Sequence, residues 1–363
     1  MKNIAIITLY DDSNAGNRFQ NYAVKVLVEK CGYECRTIKY VKRYLFGGLK
    51  SKLIAFLGFP KEIAEKKRFV LHTESIIKKF SEKYINQGDV IRFCDSCKIA
   101  DKYDYYITGS DQVWHNWSGT ENELDYFFLR FAPPHKRLCI SPSFGRESIP
   151  EKFRQQYIDG LNGFKHLSCR EESGCRLIKE LTGRDAVLLC DPTMAISAEQ
   201  WDEISVKPSF ELPEKYILTY FLGDAPEAAV KYVQEISERE RLPVINLYNM
   251  NYPEYTSVQP DEFLYLVKHA EHFCTTSFHG CVFSIIYHTP FSVFERKDLK
   301  GMHGRIETLL KKFGLESCRD ADENFGKPCD FSSVDDVLEN ERVRMYDYLE
   351  MIFADAEKGE DVR

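Results

Sequence analysis

The stretch Thr275 to Phe294, TTSFHGCVFSIIYHTPFSVF, puts one histidine at a corner. It reads as the end of a buried strand, a turn, a helix and the next strand. Ser277 can serve as N-cap, its side-chain oxygen accepting from the first free helical N–H groups. Phe278-His279-Gly280 opens the helix, Val282 to Ile286 form its apolar body, Thr289-Pro290 ends it, and Phe291 to Phe294 start a strand. His279 thus stands where free N–H groups and the positive end of the helix dipole favour an anion. Gly280 lets the backbone come close to whatever binds there. A capped histidine that only closes the turn would leave the same pattern.

Three further clusters have residue types suited to a ligand. Arg170, in Leu167-Ser-Cys-Arg-Glu-Glu-Ser-Gly174, follows a short strand and precedes a helix running to about Thr182; it could equally pair with Glu171 and Glu172. Gly109-Ser110-Asp111-Gln112-Val113-Trp114 is a polar turn at the end of the strand Tyr103 to Thr108, and ligands of open α/β sheets bind at such ends. Asp111 could instead cap the turn. Asn14, Gly16, Asn17 and Asn21 read as a ligand loop, because four such residues cannot fill an apolar layer. Trp114, Trp117 and Tyr126 offer a stacking platform for a sugar ring or, in a chain with 25 Phe and 21 Tyr, part of the core.

The elements that position these residues alternate along the chain. Ile4 to Leu9 is a continuous apolar run, as a strand buried on both faces requires. A polar loop to Arg18, a helix from Phe19 to Lys30 and a strand from Tyr33 to Tyr40 follow. No GxGxxG and no GxxxxGK[ST] occurs, so neither a dinucleotide fingerprint nor a P-loop is offered. Ala186 to Leu189 is a strand closed by Asp191-Pro192-Thr193, where Pro192 breaks regular structure and marks the domain junction. A second series then begins: strand 216–222, helix 226–241, strand 244–248, helix 261–271 and strand 273–276, leading to the His279 corner. Helices follow at 305–313 and 334–354. The expected architecture is α/β: two Rossmann-like doubly wound domains, 1–193 and 194–333, facing a cleft, with a C-terminal helix at 334–354 crossing back and a disordered tail at 355–363.

Composition narrows the function classes. The chain has 363 residues, 44% of them hydrophobic, and a net charge of −7, so the protein as a whole is not built for nucleic acid. Residues 36–83 depart from this, with thirteen Lys or Arg against four Glu. Tyr44 to Phe59 mixes large apolar residues with Lys50 and Lys52, as a basic amphipathic element touching anionic lipid would, or as a helical insertion with a solvated basic face would. The insertion spans about 41–83. The N-terminus lacks a signal-peptide layout and no apolar run reaches transmembrane length. The twelve cysteines then read as reduced thiols of a cytoplasmic protein. Cys94-Asp-Ser-Cys97 is the one close pair, and a zinc site would need a second pair or histidines at ligand spacing.

Six segments together resemble the polysaccharide pyruvyl transferase family: Asn14 to Ala23, Asp104 to Trp114, Ser168 to Gly174, Asp191-Pro-Thr193, Thr276 to Gly280 and Arg305 to Leu310. They run in the family's order over roughly 3–315. The resemblance implies a fold like that of GT-B glycosyltransferases. It also implies transfer of a pyruvyl group from phosphoenolpyruvate to sugar hydroxyls of a cell-surface glycan or its lipid-linked precursor, as in exopolysaccharide synthesis. No metal or other cofactor is implied.

Carried over by residue, Arg170 matches the family's SxRE-type arginine and His279 the histidine opening the second-domain helix. The donor-binding cation expected some way after it is Arg305, with Lys297 and Arg296 as rivals. Ser277 and Gly280 would complete the donor side. Asn14, Gly16, Asn17, Asn21, Ser110, Asp111, Gln112 and Trp114 would face the acceptor. Many members carry Arg two residues before the histidine; Ser277 there removes one positive charge. In the implied scheme His279 is the acid/base, and Arg170 with Arg305 clamps the anion, since planar guanidinium donors engage oxyanions in pairs. A GT-B glycosyltransferase with a nucleotide-sugar donor, and a non-catalytic glycan-assembly protein keeping the fold, are the alternatives. A protein acting on lipid-linked acceptors is expected in the cytoplasm, with membrane contact through 36–83.

Overall fold

The computed structural model describes residues 2–10, 14–41, 61–249, 255–295 and 304–358. The expectations for Tyr44 to Phe59, Lys50, Lys52, Arg296, Lys297 and the last five residues lie outside these ranges.

The first half builds a five-stranded parallel sheet from β1 (Asn3–Ile7), β2 (Glu34–Tyr40), β3 (Gln87–Ile91), β4 (Tyr105–Thr108) and β5 (Arg137–Cys139), in the order β3-β2-β1-β4-β5. The apolar run expected to be covered on both faces is β1, where Ile4, Ala5, Ile6 and Ile7 are fully buried. Helix α1 (Ala15–Lys30) follows β1, and α2 (Lys61–Tyr84) precedes β3. A short parallel pair, β6 (Ser168–Cys169) and β7 (Val187–Leu188), flanks this sheet, with α3 (Glu121–Phe127), α4 (Arg154–Asn162) and α5 (Glu172–Thr182) around it.

The second half repeats the plan. After the short α6 (Ala198–Asp202) come β8 (Ile217–Tyr220), α7 (Glu227–Glu240), β9 (Val244–Leu247), α8 (Pro260–Lys268), β10 (His272–Thr275), α9 (Phe278–Tyr287) and β11 (Phe291–Val293). Its four strands are parallel, in the order β11-β10-β8-β9. In each sheet the order reverses once, between β1 and β4 and between β8 and β10. Ligands of open α/β sheets bind outside the strand ends at that reversal. Hydrogen bonds tie the two strand ends together there: Thr8 Oγ1 donates to the Ser110 carbonyl at 2.9 Å, and Thr275 Oγ1 to the Tyr220 carbonyl at 2.7 Å.

One apolar core runs through both halves. Phe19 of α1 meets Phe283 of α9 at 4.8 Å between ring centroids, Phe80 of α2 at 5.6 Å and Trp201 at 5.9 Å. After α10 (Gly304–Phe313), the last helix α11 (Val334–Lys358) crosses back onto the first sheet. There Phe353 stacks on Tyr33 at 4.3 Å and the Tyr348 hydroxyl donates to the Cys139 carbonyl at 3.0 Å. The architecture is GT-B-like.

Two boundaries differ from the sequence expectation. Helix α1 starts at Ala15, so Gly16, Asn17 and Asn21 are helical and not a loop. Asn14 is the N-cap, accepting from Gly16 N at 2.9 Å. At the other end α11 continues through Lys358, a turn beyond the expected Ala354, so 355–358 is helix and not tail. The described part of the basic insertion is α2, which packs Ile76, Ile77 and Phe80 inward and leaves Lys67, Arg68, Lys78 and Lys79 exposed. No helix among the described residues is long and apolar enough to cross a membrane.

Candidate functional site

Arg170 sits just past β6, its backbone N–H bonded to the Pro142 carbonyl at 3.1 Å. Its guanidinium is buried between two carboxylates. Nη1 donates to Asp191 Oδ2, and Nη2 to Asp111 Oδ1 at 3.2 Å. Asp191 also accepts from Thr193 N at 3.1 Å and Thr193 Oγ1 at 2.7 Å. Burial by itself would raise the Asp191 carboxyl, but Arg170, aided by His279 and Thr193, holds it well below the usual carboxylate range. Burial likewise opposes the Arg170 charge, and Asp191, Asp111 and Glu171 more than offset it. The two donors of Arg170 that point at carboxylates are therefore spent within the protein.

Across the cleft, Ser277 caps α9 as its sequence suggests, accepting from Gly280 N at 3.2 Å. His279 is 8% exposed, and its Nε2 is buried without a hydrogen-bond partner among the described residues, 3.7 Å from Asp191 Oδ2. The imidazole lies against the first turn of α1. A Cβ on Gly16 would fall 2.3 Å from His279 Nδ1, so only glycine admits the ring in this position. Gly280 is explained differently from the sequence expectation. A Cβ there would meet Thr275 Oγ1 at 2.8 Å, so the glycine serves the packing of α9 on β10 rather than the approach of a ligand.

Phe278 forms a shelf for both guanidinium groups, with Arg170 Cζ 4.7 Å and Arg305 Cζ 5.5 Å from its ring centroid. Arg305, in the first turn of α10, has no ion pair with a carboxylate among the described residues. Its partner is the Gln112 side chain: with the amide oxygen turned toward the guanidinium, that oxygen lies 2.7 Å from Nη2 and 3.2 Å from Nη1. Burial and the Arg170 charge pull Arg305 down to about 10, although Asp111, Glu171 and Asp191 act the other way. A small anion between these groups would relieve the strain.

Several expected acceptor residues are taken up by the protein itself. Ser110 is fully buried and its Oγ donates to the Ser141 carbonyl at 3.0 Å. Trp114 is core, stacked on Phe128 at 5.5 Å, with no face left for a sugar. Asn21 is buried and accepts from Thr37 Oγ1 at 2.8 Å. Asn17 is 5% exposed within α1. Asp111 and Gln112 do reach Arg170 and Arg305, and Asn14 with Gly16 shapes the helix end that meets His279. Tyr126 is also core, while Trp117 is 44% exposed and stacks on His115 at 4.0 Å.

Sequence reasoning passed over Asp191, Phe278 and Glu171 as site residues. Glu171 accepts from Ser143 Oγ at 3.0 Å and Phe144 N at 2.8 Å, fixing the loop that faces Arg170. The signal for Asp191 was present in Asp191-Pro-Thr193, a polar cluster at a strand's C-terminal end, but it was read as a junction.

A sequence model of the family described as polysaccharide pyruvyl transferase matches residues 14–298. The chain belongs to this family. The matched span contains Arg170, Asp191 and His279, whereas Arg305 lies beyond it, so the place of Arg305 in this pyruvyl transferase family member rests on geometry. No curated protein sequence matches the chain. Among solved structures, a Listeria monocytogenes protein assigned provisionally as a UDP-N-acetylglucosamine 2-epimerase aligns with a TM-score of 0.50 at 9% identity, over 86% of this chain and 88% of its own. The S. aureus MnaA structure with UDP aligns with a TM-score of 0.50 at 10% identity, over 95% and 90%. At such identities the likeness is one of fold.

Proposed function

We propose that the protein transfers the pyruvyl group of phosphoenolpyruvate to sugar hydroxyls of a cell-surface glycan or its lipid-linked precursor. The observation that carries this reading is Arg305: a guanidinium held beside a second one, on the same phenylalanine, without an ion-paired carboxylate among the described residues. Such a site favours a compact polyanion, and phosphoenolpyruvate brings a phosphate and a carboxylate on one small frame. Arg305 binds the donor directly. Arg170, committed to Asp111 and Asp191, is a positioning residue that holds those carboxylates and adds its charge.

The chemistry needs one group that gives and takes a proton. His279 Nε2 is that atom, buried, unbonded and steadied by Asp191. A proton goes to the methylene carbon of the donor, C2 becomes oxocarbenium-like, and a sugar oxygen bonds to C2 while its proton leaves. The C2–O bond to phosphorus then breaks, releasing inorganic phosphate. A second hydroxyl attacking C2 gives a ketal; loss of a methyl proton gives an enol ether. The scheme calls for no cofactor. The donor lies on the 194–333 side and the acceptor on the 1–193 side. A cytoplasmic protein meeting the membrane surface through 36–83 would suit a lipid-linked acceptor; unchanged sedimentation with anionic liposomes would end that idea.

A second reading, a GT-B glycosyltransferase with a nucleotide-sugar donor, is favoured by Ser277 standing where many family members carry arginine. Thermal unfolding with phosphoenolpyruvate and with a panel of nucleotide sugars separates the two. A ligand at 100 times its dissociation constant adds about 2.7 kcal/mol. A gain with phosphoenolpyruvate supports pyruvyl transfer; a gain only with a nucleotide sugar replaces it. Phosphate release lost in His279→Ala, with donor binding kept, distinguishes an enzyme from a binding module.

A further inference from the structure

Behind the helix that carries Arg305, two thiols face each other. Cys318 ends a tight turn, Glu316–Cys318, directly after α10, and is 2% exposed. Cys329 lies eleven residues on, and the two Sγ atoms are 3.0 Å apart. Disulfide bonding needs about 2.05 Å, so about 1 Å of side-chain movement closes the gap. Both are free thiols, and Cys329 is the more accessible. It lies on the wall of a cavity of about 250 Å³ that also exposes Arg239, His272 and Lys327. The hydrogen bond from Cys318 draws the Cys329 thiol below the usual thiol range and raises that of Cys318. One sulfur is thus poised to attack and the other, buried beside it, to resolve.

The segment between them holds part of the donor site's scaffold. Arg319 bridges Glu295, two residues past β11, and Glu307 in the first turn of α10, with Nη1 3.9 Å from Glu307 Oε2. Asp320 N donates to the Val293 carbonyl at 3.0 Å. Glu307 is two residues from Arg305, on the same helical turn.

We propose that Cys318 and Cys329 are a reversible disulfide site, closed by exchange with a low-molecular-weight disulfide, which staples the 318–329 loop under Arg305. The Cys329 thiolate attacks one sulfur of the small disulfide, forming a mixed disulfide and expelling one thiolate. Cys318, giving up its proton, attacks the Cys329 sulfur and expels the second. The protein loses two electrons and two protons, and the small disulfide becomes two thiols.

Treatment of the native full-length chain with oxidised glutathione, followed by alkylation, digestion and mass spectrometry, tests this. The expected product is a peptide joined through Cys318 and Cys329, lighter by two hydrogens and separated again by dithiothreitol, with Cys94 and Cys97 still alkylated. Cys318→Ser should instead hold a glutathione adduct at Cys329, and Cys329→Ser should leave Cys318 unmodified. Full alkylation of both thiols in the treated native protein overturns the proposal, as does a link found only after denaturation or glutathione carried on Cys94 or Cys97 alone.

Discussion

Replacing Arg305 with methionine should cost the empty protein little while removing donor binding. The fall of the guanidinium from 12.5 to about 10 corresponds to about 3 kcal/mol against its charged form in the fold. Methionine loses the contact with Gln112, a charge-assisted hydrogen bond of about 1.5–3 kcal/mol, and the interaction with Phe278, about 0.5–2 kcal/mol at most sites. It keeps a flexible apolar stem that packs on the same ring. Set against the relief of about 3 kcal/mol, these losses of about 2–5 kcal/mol leave the variant between about 1 kcal/mol more stable and about 2 kcal/mol less stable than wild type, where an ordinary buried arginine loses several kcal/mol on truncation. At about 2–4 °C or less per kcal/mol in a chain of this size, the empty variant should melt at most about 4 °C above and at most about 8 °C below wild type. The assay is thermal unfolding of both proteins, with and without phosphoenolpyruvate. Wild type should gain with the logarithm of ligand concentration above its dissociation constant, and the variant should gain nothing. A variant less stable than wild type by about 3 kcal/mol or more without ligand would refute the reasoning, because the charge would then be compensated within the empty site. A retained donor response would refute the role of Arg305 directly.

Three other perturbations separate the parts of the site. Asp191→Asn leaves Arg170 with Asp111 alone, and breaking such a buried pair costs about 3–5 kcal/mol. Because the Asp191 carboxyl is held below its unfolded value near 4, its contribution is full above that pH and fades as pH falls, so calorimetry should show the gap between wild type and variant narrowing in acid. Gly16→Ala adds a good helix former but pushes on the imidazole 2.3 Å away; turnover should fall by about 100-fold with little change in the melting midpoint, and unchanged turnover would reject the contact. His115, lowered to about 4 by burial and by Arg146, donates from Nδ1 to the Phe144 carbonyl at 2.9 Å. Its neutral form should persist through pH 6.5, and the stability it contributes should be lost as pH drops from there toward 4; an imidazole NMR signal titrating near 6.5 would contradict this.

The corner at His279 was legible because each of its signals is local: a serine at the cap, an apolar helix body, a proline at the end. Strand β1 was legible for a similar reason, since unbroken apolar runs have few uses other than a doubly covered strand. The start of α1 was not. Asn14, Gly16, Asn17 and Asn21 read as a ligand loop because such residues cannot fill an apolar layer, and only the fold supplies what admits them to a packed helix: Thr37 as partner for Asn21 at 2.8 Å and the His279 ring against Gly16. Asp191 was misread because its role depends on residues far away in sequence, Arg170 and His279, while the proline beside it carries an immediate local meaning. Aromatic type alone did not separate Trp114, which fills core, from Trp117, which faces outward. Phe278 was passed over because the two cations on its ring, Arg170 and Arg305, are both far from it in sequence.

Ser277 and Arg305 are linked by one physical choice. A serine at the cap of α9 accepts the Gly280 N–H and contributes about 1 kcal/mol to the helix start. Arginine has donors but no acceptor, so it cannot make that bond. A chain with serine here gains a well-ordered helix terminus, and with it a fixed imidazole two residues on, but gives up a cation at the proposed donor site. Arg170 makes up little of the loss, since the charge it carries is already balanced by Asp191 and Asp111, to which two of its five donors are bound. In the proposed function, recognition of the donor anion then rests chiefly on Arg305, whose position depends on Gln112 across the cleft and on Phe278 beneath it. Restoring the second cation by Ser277→Arg should therefore partly rescue donor binding in Arg305→Met at the expense of helix stability. If donor titrations of the double variant show no binding at all, Ser277 and Arg305 do not share one ligand.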